Sequence, residues 1–285
     1  MIPQSSASEP LVYRTFTRRA LDDQYDTSKQ LPDGNVQAYL DRFVAAGESA
    51  REACAFETVR YGTSEREVFD FFPSARPGAP LFVWIHGGYW RRLSKDAASF
   101  VAPPLVAAGV SVAILNYPLA PGPTLDDIVA AVRAGFAAAV AHSDAAGGSA
   151  RAFVGGHSVG AQLAGMVAGA HEVGGVFTLS GLYDLEPLRH SHINEWIAMD
   201  AAIAERNSPL LHRPLGSQPL VVATGAKEQP EFHRQQQAYA RAWSGWGGPV
   251  REIAAFEHDH FSIVLALADG GNPLTRALCE MVAAP

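Results

Sequence analysis

The sequence predicts an α/β fold with a mostly parallel central sheet and helices on both faces, and three observations carry that prediction. From residue 81 onward, short apolar runs alternate with segments of helical spacing, the pattern of strands joined by helical crossovers. The run Leu81-Phe82-Val83-Trp84-Ile85 is continuously apolar, as a strand buried on both faces requires. Residues 150–165 read as strand, sharp turn and helix, with Gly156-His157-Ser158-Val159-Gly160 at the turn.

The elements follow in order. Residues 1–34 are polar, proline-bearing and weakly periodic, which predicts a surface arm whose most distinctive part is Leu21-Asp22-Asp23-Gln24-Tyr25-Asp26. Val36, Tyr39, Leu40, Phe43 and Val44 have helical spacing, with Asn35 as N-cap and Gly47 near the stop. Residues 53–60 and 66–72 alternate with a period of two around a turn-like Tyr61-Gly62-Thr63-Ser64 and predict an antiparallel hairpin. After the strand at 81–85, helices are expected at 95–108, 124–142, 162–171, 231–243 and 273–282. Strands are expected at 110–116, 151–154, 175–179, 219–224 and 250–255. Residues 183–218 break the alternation and contain helix-like 193–205, so they are placed as a cap over the top of the sheet. The organisation expected is one domain over residues 1–285, with an arm and helix at 1–52 and a cap-like insertion at 183–218.

Composition narrows the function classes. A hydrophobic content of 48% with 18% charged residues is that of a globular chain, and no apolar stretch reads as a bilayer span, so no membrane partner is expected. The net charge of −7, with no lysine and arginine cluster to offset it, argues against nucleic acid. Met1 to Ser6 and the residues after them lack a basic region followed by an apolar run, so no secretion signal is expected. Cys54 and Cys279 are far apart and form no paired motif, which predicts reduced thiols and a cytoplasmic location. No histidine and carboxylate cluster has ligand spacing, so neither a metal nor another cofactor is expected. The partner expected is a small-molecule substrate, with a homodimer left open.

The turn at Ser158 is where chemistry is expected. It forces the serine into a strained backbone, while Gly156 and Gly160 let strand and helix approach closely enough to present the hydroxyl at the top of the sheet. A serine hydroxyl needs a base and an acid to orient that base, and in this topology they follow in the order serine, acid, histidine. His258-Asp259-His260-Phe261 lies after the last strand, and His260 is the base expected because it sits deeper in the loop, directly before an apolar run. For the acid, Glu228 lies in the loop after residue 224 and Asp184 after the preceding strand; Glu228 is preferred and Asp184 remains the rival. Glu231 reads as a first-turn helix residue and Asp259 as a solvated one. His86-Gly87-Gly88-Tyr89-Trp90 follows the first central strand; N–H groups at Gly87 and Gly88, with that of Val159, are the oxyanion donors expected, and His86 braces the loop. Tyr89, Trp90, Tyr183 and Trp196 suit a flat apolar ligand, and Tyr25 reaches the same pocket from the arm.

With these residues in place, the chain resembles the α/β-hydrolase family of kynurenine formamidases (arylformamidases), related to the hormone-sensitive-lipase-like esterases. Leu21 to Tyr25 is similar to its N-terminal signature, His86 to Trp90 to its H-G-G-x-W motif, and Gly156 to Gly160 to its elbow. Leu179 to Leu188, Phe232-His233-Arg234-Gln235 and Asp259-His260-Phe261 resemble further segments, the last two being the stretches around its acid and base. Where the family usually has aspartate followed by serine, this chain has Glu228-Gln229. The resemblance implies an α/β-hydrolase fold and hydrolysis of N-formyl-L-kynurenine to formate and L-kynurenine in tryptophan breakdown. The residues alone give only acyl transfer to water at an ester or activated amide. A short-chain aryl or alkyl esterase is therefore the second reading, and a catalytically silent hydrolase fold that binds a ligand is the third.

Overall fold

A computed structural model of the chain describes residues 9–284, so the start of the arm, and with it the reading of Met1 to Ser6, lies outside the described residues. In the arm, β1 (Leu11–Tyr13) and β2 (Phe16–Thr17) form a small antiparallel hairpin, followed by α1 (Arg18–Tyr25). The sequence suggests only a surface arm here. The helix exists because Thr17 caps it, its side chain accepting from the Ala20 N–H, and because Leu21 and Tyr25, one turn apart, are both fully buried. A 3₁₀ turn at Thr27–Gln30 leads into α2 (Val36–Ala53), which has Asn35 as its cap as expected. The helix does not stop near Gly47. A Cβ at that position would lie 2.0 Å from the Asp96 carbonyl oxygen, so the glycine serves close packing against the 3₁₀ turn Asp96–Val101 rather than termination.

The strands β3 (Glu57–Arg60) and β4 (Val68–Phe72) form the expected antiparallel hairpin, and β5 (Leu81–Ile85) is the expected buried strand. The helix expected over 95–108 is that 3₁₀ turn followed by α3 (Ala102–Ala107), whose first turn contains prolines. Next come β6 (Ser111–Leu115), α4 (Leu125–Ala145), β7 (Ala152–His157), α5 (Val159–Ala168) and β8 (Val176–Leu179). The segment expected as one helix at 193–205 divides at Ala198, whose φ of 50° ends a helix. It contributes α7 (Asn194–Ile197) and α8 (Ala201–Arg206), after α6 (Glu186–Arg189). The chain closes with β9 (Leu220–Ala223), α9 (Pro230–Gly245), β10 (Val250–Glu252), α10 (Ser262–Leu265) and α11 (Pro273–Ala283).

One eight-stranded sheet runs in the order β10-β9-β8-β7-β5-β6-β4-β3, parallel throughout except at β3 and β4. This is the α/β-hydrolase arrangement expected from the sequence. Successive residues of β5 enter opposite cores: Leu81, Val83 and Ile85 join the one containing α1, α4, α5 and α9, while Phe82 and Trp84 join the one containing α2, α3 and α11. Period-two side chains with both faces covered explain why this strand is apolar at every position. Helix α4 is long and apolar enough to cross a membrane by length and composition, which the sequence reading denies any stretch of this chain. Alanines raise its hydropathy, while its large side chains Leu125, Ile128, Val132 and Phe136 are buried in the core.

β5 lies between β6 and β7, so the chain leaves it in one direction and returns on the other side. At such a reversal the loops at the carboxyl ends of neighbouring strands diverge and open a crevice. The loops after β5 and β7 are those that carry His86 to Trp90 and Ser158.

Candidate active site

Ser158 is the single residue between β7 and α5, with φ 59° and ψ −124°. That conformation costs a non-glycine residue on the order of 1–3 kcal/mol and persists only where the surroundings impose it. Here they do: the Ser158 N–H donates to the Leu179 carbonyl at 2.9 Å, and its own carbonyl accepts from the Ala161 N–H at 3.0 Å. A Cβ on Gly156 would lie 2.2 Å from the Gly160 carbonyl oxygen, and one on Gly160 2.1 Å from that of Ile85. Both glycines are required for the close approach the sequence predicts.

His260 lies in the loop after β10 and is buried. Its Nδ1 is 2.7 Å from Glu228 Oε2, and the other carboxylate oxygen accepts from Ser180 Oγ at 2.5 Å and the Gly225 N–H at 2.7 Å. Glu228 is therefore fixed on both oxygens, with one aimed at the imidazole. Asp184, the rival, instead accepts from Tyr13 at 3.3 Å and Arg234 at 3.2 Å. The longer side chain of glutamate spans the gap from the loop after β9 to the histidine loop.

Ser158 and His260 line one cavity of about 210 Å³. The Ser158 hydroxyl has no hydrogen-bond partner among the described residues.

Three supports of the site are invisible in sequence motifs. Burial holds His157 well below the ordinary histidine range, so it is neutral, and its Nε2 meets the His260 carbonyl at 2.7 Å. Tyr117 donates from its hydroxyl to the His86 carbonyl at 2.9 Å, while its ring stacks on His86 at 4.4 Å. Gln30, in the arm, accepts from the His260 N–H at 2.9 Å. The only signal for any of them is position at a variable site within a motif, and that applies to His157 alone. His86 braces its loop as expected, through an Nδ1 contact of 2.7 Å with the Gly87 carbonyl. Asp259, expected to be solvated, accepts from the Phe261 and Ser262 N–H groups and from Tyr39, so it folds the loop that carries His260. Glu231, expected as a plain first-turn residue, is buried, accepting from Tyr25 and pairing with Arg234.

The loop after β5 turns back sharply, with left-handed φ values at Gly88, Tyr89, Trp90 and Leu93. Gly88 could not carry a side chain, since its Cβ would lie 2.2 Å from the Arg92 carbonyl oxygen. Gly88 and Tyr89 line the cavity, whereas Gly87 packs behind them, with its Cα side against His157 and the Ser158 Cβ. The Gly88 and Val159 N–H groups have no acceptor among the described residues, Val159 being the first residue of its helix.

The aromatic residues divide. Tyr89 and Trp196 line the cavity, joined by the Trp196 Nε1 donating to the Tyr89 carbonyl at 3.0 Å. Tyr25 contributes to the wall, but its hydroxyl is committed to Glu231 at 2.9 Å, and its carbonyl accepts from the Tyr89 hydroxyl. Trp90 and Tyr183, expected in the pocket, are not part of it. Trp90 is fully buried with its Nε1 on Gln162, and Tyr183 stacks on Tyr239 at 4.1 Å with its hydroxyl on Thr178. Both are core residues: adjacent positions on a sharp loop point in opposite directions, so Tyr89 faces the ligand space and Trp90 faces away.

No protein-family profile matches the chain. Among curated proteins, kynurenine formamidase of Danio rerio is 32% identical over 290 residues, covering 95% of this chain and 98% of that protein. The kynurenine formamidase of Salmo salar is 30% identical with the same coverage, and that of Drosophila melanogaster 25% identical over 87% of this chain and 90% of its own. Among solved structures, a putative thioesterase from Silicibacter sp. TM1040 superposes with a TM-score of 0.82 and 27% identity, over 93% of this chain and 99% of its own. Esterase B from Lactobacillus rhamnosis shares the fold at a TM-score of 0.68 and 17% identity, over 90% and 94%.

Proposed function

Because the chain belongs to the kynurenine formamidase family, we propose that it hydrolyses an aryl formamide, N-formyl-L-kynurenine, to L-kynurenine and formate through a formyl-enzyme on Ser158. The chain is a hydrolase, as its formamidase relatives and esterase neighbours are. The observation that carries the reading is the buried 2.7 Å contact between Glu228 and His260, with His260 lining the same cavity as a serine held in the strained conformation of a nucleophile elbow.

The steps follow from that arrangement. Ser158 Oγ attacks the formyl carbon while His260 takes its proton, and Glu228 holds the imidazole in the correct tautomer and stabilises the imidazolium. The oxyanion that develops meets the N–H groups of Val159 and the Gly87-Gly88 turn, which at Gly88 and Val159 have no other acceptor among the described residues. When the C–N bond breaks, His260 returns the proton to the aniline nitrogen. Water, deprotonated by the same histidine, then releases formate from Ser158. Residues 183–218 act as a cap, a reading supported by the presence of His192 and Trp196 in the cavity wall. Two free cysteines support a reducing, cytoplasmic location.

The esterase-like neighbours favour a second reading in which the substrate is a short-chain ester. The two are separated by kcat/KM for N-formyl-L-kynurenine and for p-nitrophenyl acetate on the purified protein. A formamide value well above the ester value upholds the proposal. The opposite order makes the protein an esterase.

A further inference from the structure

We infer that Arg91 makes the cavity selective for aryl formamides bearing an anionic group, its guanidinium binding a substrate carboxylate at the cavity mouth. The inference rests on the proposed function and adds to it the residue that chooses among formamides. Arg91 and Arg92 both line the cavity and are exposed. Neither makes an ion pair among the described residues, although the chain carries 29 acidic against 22 basic side chains. The remaining ionisable groups of the wall are engaged within the protein. Asp26 accepts from the Ser28 N–H and hydroxyl at 3.1 and 2.6 Å, and His192 lies 3.3 Å from Asp22. With Arg91 and Arg92 against the single carboxylate of Asp26, the net charge of the wall is positive.

Arg91 differs from Arg92 in being pre-positioned. Its guanidinium carbon lies 4.4 Å from the ring centroid of Trp196, and that ring is fixed in turn by its hydrogen bond to the Tyr89 carbonyl. A guanidinium stacked on an indole keeps its edge N–H donors free and coplanar, the geometry that matches a carboxylate with two parallel hydrogen bonds. The backbone N–H groups of Arg91 and Arg92 both donate to the Gly88 carbonyl, at 3.0 and 3.1 Å, so the stretch that carries this cation belongs to the same turn as the oxyanion donors, and the indole contact alone singles out Arg91. An anionic group on the substrate and the formyl carbon are thus read by one rigid loop.

The test compares N-formyl-L-kynurenine with formanilide, which has the same scissile bond and no charge, on wild type, Arg91→Ala, Arg91→Lys and Arg92→Ala. In Arg91→Ala the ratio of kcat/KM for formylkynurenine to that for formanilide is expected to fall roughly tenfold, mainly through KM, the size of one charge-assisted hydrogen bond at a solvent-exposed site. Arg91→Lys recovers part of that ratio, since a point charge lacks the planar fork. A ratio that stays at the wild-type value in Arg91→Ala, or one that falls only in Arg92→Ala, overturns the inference while leaving the proposed function standing. Wild-type protein inert toward both formamides overturns the proposed function and this inference with it.

Discussion

The elbow glycine Gly160 allows the closest quantitative test of how the fold builds the site. In Gly160→Ala the new Cβ would start 2.1 Å from the Ile85 carbonyl oxygen and 2.7 Å from that of His86. Carbon and carbonyl oxygen settle at roughly 3.3–3.6 Å, so helix α5 must retreat from β5 by about 1 Å or more. Both opposing atoms are backbone, one at the end of a central strand and one at the start of the loop after β5, so neither can swing aside. Ser158 is two residues before the substitution, and a misplacement of about 1 Å at reacting groups lowers turnover by roughly a hundredfold. Overpacking of this kind also destabilises a fold by about 1–3 kcal/mol. Steady-state kcat on the preferred substrate, together with urea unfolding, measures both effects. Gly245→Ala is the control: its Cβ would meet nothing within 4 Å, and its place at the end of α9 makes alanine neutral or slightly stabilising. A Gly160→Ala protein with wild-type kcat and stability would show that the elbow does not hold its serine by the contacts described.

Further expectations concern the acid and the buried histidines. Glu228→Ala is expected to lower kcat by about 10³–10⁴, because an imidazole without its partner loses tautomer and orientation, and Asp184→Ala by far less; kinetics with the reverse order would assign the acid to Asp184. Burial pushes His86 down to about 4 from an ordinary 6.5. Between those pH values the unfolded chain binds a proton that the folded chain refuses, so this contribution to stability is full above pH 6.5 and lost as pH falls toward 4. Its size is about 3 kcal/mol, and His157 acts in the same direction. The urea midpoint of wild type should therefore drop over that range more steeply than that of His86→Gln; equal slopes would mean that His86 is protonated in the folded protein.

The parts of the site legible in the sequence are those whose reasons are local. The Ser158 elbow is written in the two glycines that its close contacts demand, and Glu228 and His260 are marked by their places after consecutive strands. The hairpin and the parallel strands follow from the period of apolar residues. What is not legible depends on contacts across the chain. Ser180, which fixes the second oxygen of Glu228, and Gln30, which holds the His260 backbone, bear no mark of those roles, because each is defined by a partner far away in sequence. Helix α1 is hidden for a related reason: with eight residues and only two apolar anchors, it owes its existence to the core it covers. Trp90 and Tyr183 show the limit of reading aromatics as a binding wall, since a single step along a turn decides between ligand and core.

The central claim is that Ser158 carries the acyl group during turnover. Reacting the protein with a serine-directed phosphonate and locating the adduct by peptide mass spectrometry tests it directly. The account predicts one adduct on Ser158, absent in Ser158→Ala, and greatly slowed in His260→Ala. An adduct on another residue, or labelling and substrate turnover that survive Ser158→Ala, would contradict it.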